Sequence, residues 1–119
     1  MPDFEVQHRD GMAIIDLGER KLIGEGDDYE LWDEIKRELE ENVRKIVLDL
    51  SSIKWTNSTG IGIIISAWTM AQKEGAELVL VNSSSRLDNI FKVTNLTYIM
   101  RVFGTVGEAV EHFRKGPGS

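Results

Sequence analysis

The sequence predicts an α/β fold with a mostly parallel sheet, and three observations carry that prediction. The segments 45–50 and 77–81 are built on continuous apolar runs at 46–48 and 78–81, the pattern of strands buried on both faces. Each is followed by a segment of helical character, and alternating strands and helices imply a parallel sheet with helices laid against it. The chain also opens on two short strand patterns separated by Asp10-Gly11, which read as a β-hairpin.

Taken in order, residues 4–9 alternate at Phe4, Val6 and His8, as a half-buried strand does. Residues 12–17 form the second arm of the hairpin. Residues 18–28 are polar and contain Gly18, Gly24 and Gly26, so they form a loop with a short extended piece at 21–23. Asp27 or Asp28 caps a helix that reaches about Asn42. Leu31, Trp32, Ile35 and Leu39 make its buried stripe, with Asp33–Arg37 and Glu40–Arg44 as i,i+4 pairs on the wet side.

After the strand at 45–50, a helix runs from about Ser58 to Glu74, and Gly75 is placed to end it. The strand at 77–81 leads through a loop and cap at 82–85 into a short helix at 86–93, buried through Leu87, Ile90 and Phe91. Residues 98–102 read as a last strand. Residues 105–113 read as a closing helix with Val106, Ala109, Val110 and Phe113 on one face. One domain, 4–113, accounts for the pattern, and 114–119 read as a flexible C-terminal tail.

Composition narrows the function. The chain has 119 residues, of which 41% are hydrophobic and 29% charged, as in a folded domain rather than a disordered one. A chain of this size buries roughly two-thirds of its unfolded surface. The net charge of −6 argues against direct nucleic-acid binding and against an anionic membrane surface. The absence of cysteine excludes disulfides, thiolate metal sites and thiol nucleophiles. The N-terminus lacks the basic and apolar regions of a signal peptide, and the longest apolar run, 61–67, is too short to span a bilayer, so a cytoplasmic protein is expected.

The chemistry concentrates in Asn57-Ser58-Thr59-Gly60, a small polar cluster between a strand and a strongly apolar helix. Hydroxyls there meet unsatisfied backbone N–H groups and the positive end of the helix dipole. Ser58 can therefore be a plain cap, part of a phosphate cradle, or a phosphate acceptor. The cradle is the weakest of these. Gly60-Ile61-Gly62 lacks the third small residue of a dinucleotide fingerprint, and no Gly-Lys-Ser/Thr follows; both glycines read as packing positions at the helix start. A nucleophile elbow fails because Thr56 stands where its first glycine belongs, and a triad base could only be His8 or His112. Those two histidines fall on different elements and do not suggest a metal site. The acids within 25–34 and 38–41 read as solvated surface. Trp55 adjoins the Ser58 loop and can edge an interface, while Arg86 and Lys92 are charges that a partner's carboxylates could meet.

At this point the residues resemble a known family. Ile46-Val-Leu-Asp-Leu50, Asn57-Ser58-Thr59-Gly60-Ile61-Gly62 and Gly75-Ala-Glu-Leu-Val-Leu-Val81 match the STAS family, in particular its stand-alone anti-sigma factor antagonists. Asp88-Asn-Ile-Phe91, Asn95-Leu96 and residues 105–110 fit as well. The resemblance implies an α/β STAS fold, with a four- to five-stranded mixed sheet and about four helices packed mainly on one face. It implies a cytoplasmic, non-enzymatic signalling protein without a cofactor. Its partners would be an anti-sigma factor that is an ATP- and magnesium-dependent serine kinase, and a PP2C-type phosphatase. Carried over, the phosphorylated residue is Ser58, in a loop with Asn57, Thr59 and Gly60. Partner contacts are expected from Trp55, Ile61, Gly62, Lys21 and Glu25. Asn57 occupies the family's Asp position, keeping the shape and a hydrogen-bonding oxygen without the charge. The alternative is a constitutive STAS scaffold or sensory module that binds a protein or small ligand without a phosphoswitch.

Overall fold

The structure is a computed structural model and describes residues 4–115. Seven strands and four α-helices follow one another along the described chain: β1 (Glu5–Arg9), β2 (Met12–Asp16), β3 (Lys21–Leu22), α1 (Glu30–Glu40), β4 (Lys45–Asp49), β5 (Trp55–Thr56), α2 (Ser58–Lys73), β6 (Glu77–Val81), α3 (Asp88–Thr94), β7 (Val102–Phe103) and α4 (Val106–Lys115).

The main sheet is mixed, with five strands in the order β1-β2-β4-β6-β7. The hairpin β1–β2 is antiparallel, with Glu5 opposite Asp16 and Arg9 opposite Met12. Asp10 and Gly11 both take positive φ at its tip, as a two-residue primed turn requires. The other pairs are parallel, with Met12 beside Lys45, Lys45 beside Glu77, and Leu80 beside Val102.

Strand alternation divides the apolar residues between two cores. Ile15, Ile46, Leu48, Leu78 and Leu80 point to the side that holds Leu31 and Ile35 of α1, Ile64 and Ala67 of α2, and Phe91 of α3. Met12, Ile14, Val47, Val79 and Val81 point to the other side and meet Ala109, Val110 and Phe113 of α4. Three helices thus cover one face and one covers the other. This is why residues 46–48 and 78–80 read as unbroken apolar runs rather than alternating ones.

Helix α2 ends as the sequence suggests. Gly75 donates to the Gln72 carbonyl and Ala76 to the Ala71 carbonyl, the paired bonds of a Schellman stop. Elsewhere the structure departs from expectation. Helix α1 begins after Tyr29 with no side-chain cap, because the carboxylate of Asp28 is turned back into the preceding loop. Arg37 meets Glu34 rather than Asp33, and Arg44 donates to the Leu39 and Val43 carbonyls rather than pairing with Glu40. Glu38 is not solvated surface: it is buried on α1 and meets Nε2 of His8 at 2.8 Å.

The last strand lies at Val102–Phe103 rather than at 98–102. Asn95 takes a left-handed conformation that ends α3, and Leu96–Tyr98 form a 3-10 turn. Leu96 and Met100, four apart, are the buried pair, and the Met100 N–H bonds the Leu96 carbonyl. That helical spacing keeps the segment turning until Val102. The expected tail falls at 116–119 outside the described residues, whereas Arg114 and Lys115 form the last turn of α4.

Candidate functional site

The cap of α2 is Asn57, not Ser58. Asn57 is extended, and its Oδ1 accepts the Gly60 N–H at 3.0 Å. Its own carbonyl accepts the Ile61 N–H at 2.9 Å and opens the helical ladder. An asparagine cap satisfies one of the orphan donors without supplying charge. Ser58 is then the first helical residue. It is exposed, and among the described residues its hydroxyl has no hydrogen-bond partner. Thr59 is exposed beside it, and the first turn of α2 holds no acid. The positive end of the dipole is therefore not neutralised by the helix itself.

The start of α2 is locked against the preceding loop. β3 and β5 form a two-stranded parallel sheet, with Lys21 beside Trp55 and Leu22 beside Thr56. The buried Thr56 hydroxyl donates to the Leu22 carbonyl at 2.6 Å. Gly60 sits directly over this bond. A Cβ there would lie 1.8 Å from the Leu22 oxygen and 2.2 Å from Thr56 Oγ1, so only glycine permits this approach.

Loop 18–28 is tied down from within. Asp28 is 3% exposed, and its Oδ2 accepts the N–H groups of Ile23, Gly24 and Glu25 at 3.0, 2.9 and 3.1 Å. Arg20 donates to the Leu17 carbonyl at 2.6 Å, meets Asp27 at 2.6 Å and Asp28 at 3.3 Å, and lies over the Phe4 ring. Removing one member of such a buried charged set leaves the other uncompensated, which is costly. The loop so held lays Gly24 on the methyl of Thr59: at φ +89, a Cβ on Gly24 would meet Thr59 Cγ2 at 2.5 Å.

The structure gathers most of the residues singled out from sequence. Asn57, Ser58, Thr59 and Gly60 form the loop and helix start, Trp55 and Lys21 adjoin them across the small sheet, and Glu25 is exposed on the loop that touches Thr59. Ile61 is a correction. It is 3% exposed and packs in the core, so it supports α2 instead of facing a partner. The packing role read for Gly62 is a second correction: a Cβ there would meet nothing within 4 Å, which leaves open space one turn beyond Ser58. The residues not foreseen are Thr56, Arg20 and Asp28, which fix the loop, and Tyr29, exposed with its hydroxyl near Gly24. A threonine before Asn-Ser was the one visible hint.

The two histidines are engaged elsewhere, His8 with Glu38 and His112 with Glu77, each at 2.8 Å. A surface cavity of about 700 Å³ runs along α4 and shares no residue with the Ser58 loop. Among the described residues, no helix is long and apolar enough to cross a membrane.

Comparison with known proteins agrees with this architecture. The STAS domain family model matches residues 4–109. The anti-sigma-B factor antagonist of Listeria monocytogenes is 35% identical over 61 residues, covering 51% of this chain and 54% of that protein. The chain spans between 54% and 68% of the lengths of the first curated relatives it matches. A crystal structure of a Thermotoga maritima protein assigned as an anti-sigma factor antagonist has a TM-score of 0.82 at 24% identity, covering 93% of this chain and 94% of that one. The anti-sigma factor antagonist SpoIIAA in its unphosphorylated form has a TM-score of 0.75 at 17% identity, covering 94% and 96%. Its phosphorylated form, from Bacillus, has a TM-score of 0.67 at 16% identity, covering 92% and 97%. The structural likenesses establish the fold, and the family model, matching most of the sequence, establishes the family: this chain belongs to the STAS domain family.

Proposed function

We propose that this chain is an anti-sigma factor antagonist of the partner-switching kind. In this reading it binds an anti-sigma factor that is a serine kinase and is released from it by phosphorylation of Ser58, with a PP2C-type phosphatase restoring the binding form. The observation that carries the reading is the exposed, unbonded Ser58 hydroxyl at an acid-free helix start. Asn57 already does the capping, so Ser58 can be modified without removing the cap.

The physical consequence of modification follows from charge. Phosphorylation adds about −1.5 to −2 charges. The dipole of α2 and its first N–H groups favour a negative group at that end, so the fold tolerates the phosphate. A partner surface that has dehydrated the same spot does not, unless it brings a cation. The surface offered to the partner comprises Trp55, Thr59, the open space over Gly62, Lys21 and Glu25. The chain's part is to present the acceptor oxygen. ATP, magnesium and the catalytic base belong to the kinase. The protein is a regulatory binding domain rather than an enzyme.

The test is incubation with the cognate kinase and ATP, followed by mass spectrometry of the protein and of Ser58→Ala. Phosphate on another residue, or an undiminished signal in Ser58→Ala, would sink the assignment. Ser58→Asp should bind the anti-sigma factor at least about tenfold more weakly, or about 1.4 kcal/mol, while Ser58→Ala should bind as the wild type does. Normal binding by Ser58→Asp would favour a constitutive scaffold.

A further inference from the structure

Beside the Ser58 loop lies an open cleft of about 240 Å³ between Trp55 of β5 and α3, lined by Trp55, Arg86, Leu87, Asn89, Ile90 and Val93. Trp55 is 49% exposed and Val93 73% exposed, so the walls of the cleft are apolar and wet. Contiguous exposed apolar surface of this kind marks interaction sites more often than scattered single residues do. The cleft is smaller than the roughly 300–1,000 Å³ of small-molecule sites, which suits one anchoring side chain of a protein. Leu87 forms its buried floor.

The rim is basic, although the chain carries a net charge of −6. Lys21 stands beside Trp55 in the β3–β5 pair, Lys54 precedes Trp55, and Arg86 lines the cleft itself. Lys21 and Arg86 have no carboxylate partner among the described residues. Arg86 donates only to Ser84 Oγ and the Ser51 carbonyl. Lys54 reaches Glu19 only at 4.0 Å, with both side chains well exposed. The nearest acid on the cleft's own helix, Asp88, is turned to Asn82. A local cluster of three cations around an apolar cleft, two of them without a carboxylate partner among the described residues and the third in a long, exposed pair, is complementary to an apolar residue flanked by acids.

We infer that the cleft between Trp55 and α3 seats a large apolar side chain from an acidic segment of a partner protein. The inference deepens the partner-binding reading above and, for its role in the cell, rests on it. Trp55 and Ser58 are three residues apart, so their Cα atoms lie within about 11 Å of each other. That ceiling is somewhat above the Debye length of about 8 Å at physiological salt, so charge at the two places is only partly screened. A phosphate on Ser58 would therefore oppose the same acidic segment that the cleft's cations attract.

The experiment uses the full chain and a capped peptide, Glu-Asp-Leu-Leu-Glu-Asp, followed by NMR. One control peptide carries lysines in place of the acids and another carries serines in place of the leucines. The acidic leucine peptide should produce saturable shifts of the Trp55 indole N–H and the Ile90 and Val93 amides. Both control peptides should bind at least tenfold more weakly. Val93→Glu, an exposed position whose change leaves the core intact, should weaken the acidic peptide at least tenfold, and Arg86→Glu should do so severalfold. The inference is overturned by no saturable shift, by shifts confined to other residues, by equal binding of the lysine peptide, or by wild-type binding in Val93→Glu. It is also overturned if the same resonances shift with protein concentration alone, which would make a second copy the occupant. Phosphorylation of Ser58 is read separately by mass spectrometry. If the unmodified chain fails to bind the peptide although the kinase phosphorylates Ser58, the cleft alone is removed, and if the unmodified chain binds saturably although the kinase leaves Ser58 unmodified, the switch alone is removed.

Discussion

The starts of α2 and α4 solve the same problem in different ways. At α4, the Thr105 hydroxyl accepts the Glu108 N–H at 3.1 Å and donates to the Glu108 carboxylate at 3.3 Å. This variant of the capping box fills the positive end of the helix with the protein's own charge. At α2, Asn57 accepts the Gly60 N–H, and Ser58, Thr59 and Gly60 bring no charge. One helix start is electrostatically complete, and the other is geometrically complete but lacks its anion. An exposed hydroxyl at the second is the better place for a phosphate to arrive.

The largest effect expected concerns the lock rather than the cap. Gly60→Ala forces a methyl onto the Leu22 carbonyl and should destabilise the fold by about 3 kcal/mol or more. A loss below about 1 kcal/mol in chemical denaturation would mean that β3 shifts easily, and the locked start would not be rigid. Next come the caps: Asn57→Ala and Thr105→Ala should each cost about 1 kcal/mol, within the usual 0.5–2 kcal/mol. Unequal losses would show that one helix start depends on its tertiary neighbours more than on its cap.

The electrostatic contrast predicts opposite signs for smaller changes. Asn57→Asp supplies the missing charge and should stabilise by about 0.3–1 kcal/mol at low salt, fading as salt is added. Glu108→Gln should destabilise α4 by a similar amount. If Asn57→Asp destabilises, the site is already served by another anion and the contrast fails.

The smallest effect lies away from both helix starts. The hydrogen bond to Glu38 raises the pKa of His8 above its ordinary 6.5, helped by the charges of Glu38, Glu41 and Glu34 and opposed by burial. Its contribution to stability is therefore fully present below about pH 6.5 and disappears as pH rises through the folded-state value. Glu34 acts in the same direction. Burial foremost, together with the contact from Glu38, raises its pKa above 4.5, so its contribution is complete below that value and is lost as it ionises in the folded protein. His8→Gln should lower the thermal midpoint more in mildly acidic buffer than in alkaline buffer. An equal decrease in both would show that the histidine contributes packing alone.

The sequence made the regular parts of this molecule legible. β4, β6 and α2 announce themselves through uninterrupted apolar runs and clear stops, because burial on two faces leaves little freedom in residue choice. What escaped were features decided by distant partners. β5 and its pairing with β3 were not foreseen, although 21–23 read as extended; both strands are two residues long, and the Thr56 hydroxyl ties them through the Leu22 carbonyl. Asp28 looked like a helix cap and serves a loop instead, since three N–H groups and Arg20 outbid one helix end. Glu38 looked solvated until His8 came across from β1. At the functional loop, the residue types pointed to a helix start bearing hydroxyls. Which residue capped and which stayed free depended on a one-residue shift that composition does not reveal.

The parallel register of the sheet also sets an order of assembly. The β1–β2 hairpin closes a two-residue turn, but Met12 reaches Lys45, and Lys45 reaches Glu77, only after long crossovers have formed. The entropy of closing those loops is spent before their contacts repay it. The Ser58 loop lies inside the second crossover and also needs β3 from the first, so it is expected to be among the last regions to take shape. Asn57→Ala is accordingly expected to speed unfolding while leaving the folding rate nearly unchanged. A folding rate that fell with stability would instead place the loop in the nucleus. If the loop does form late, the surface a partner would read becomes available only on chains that have finished folding.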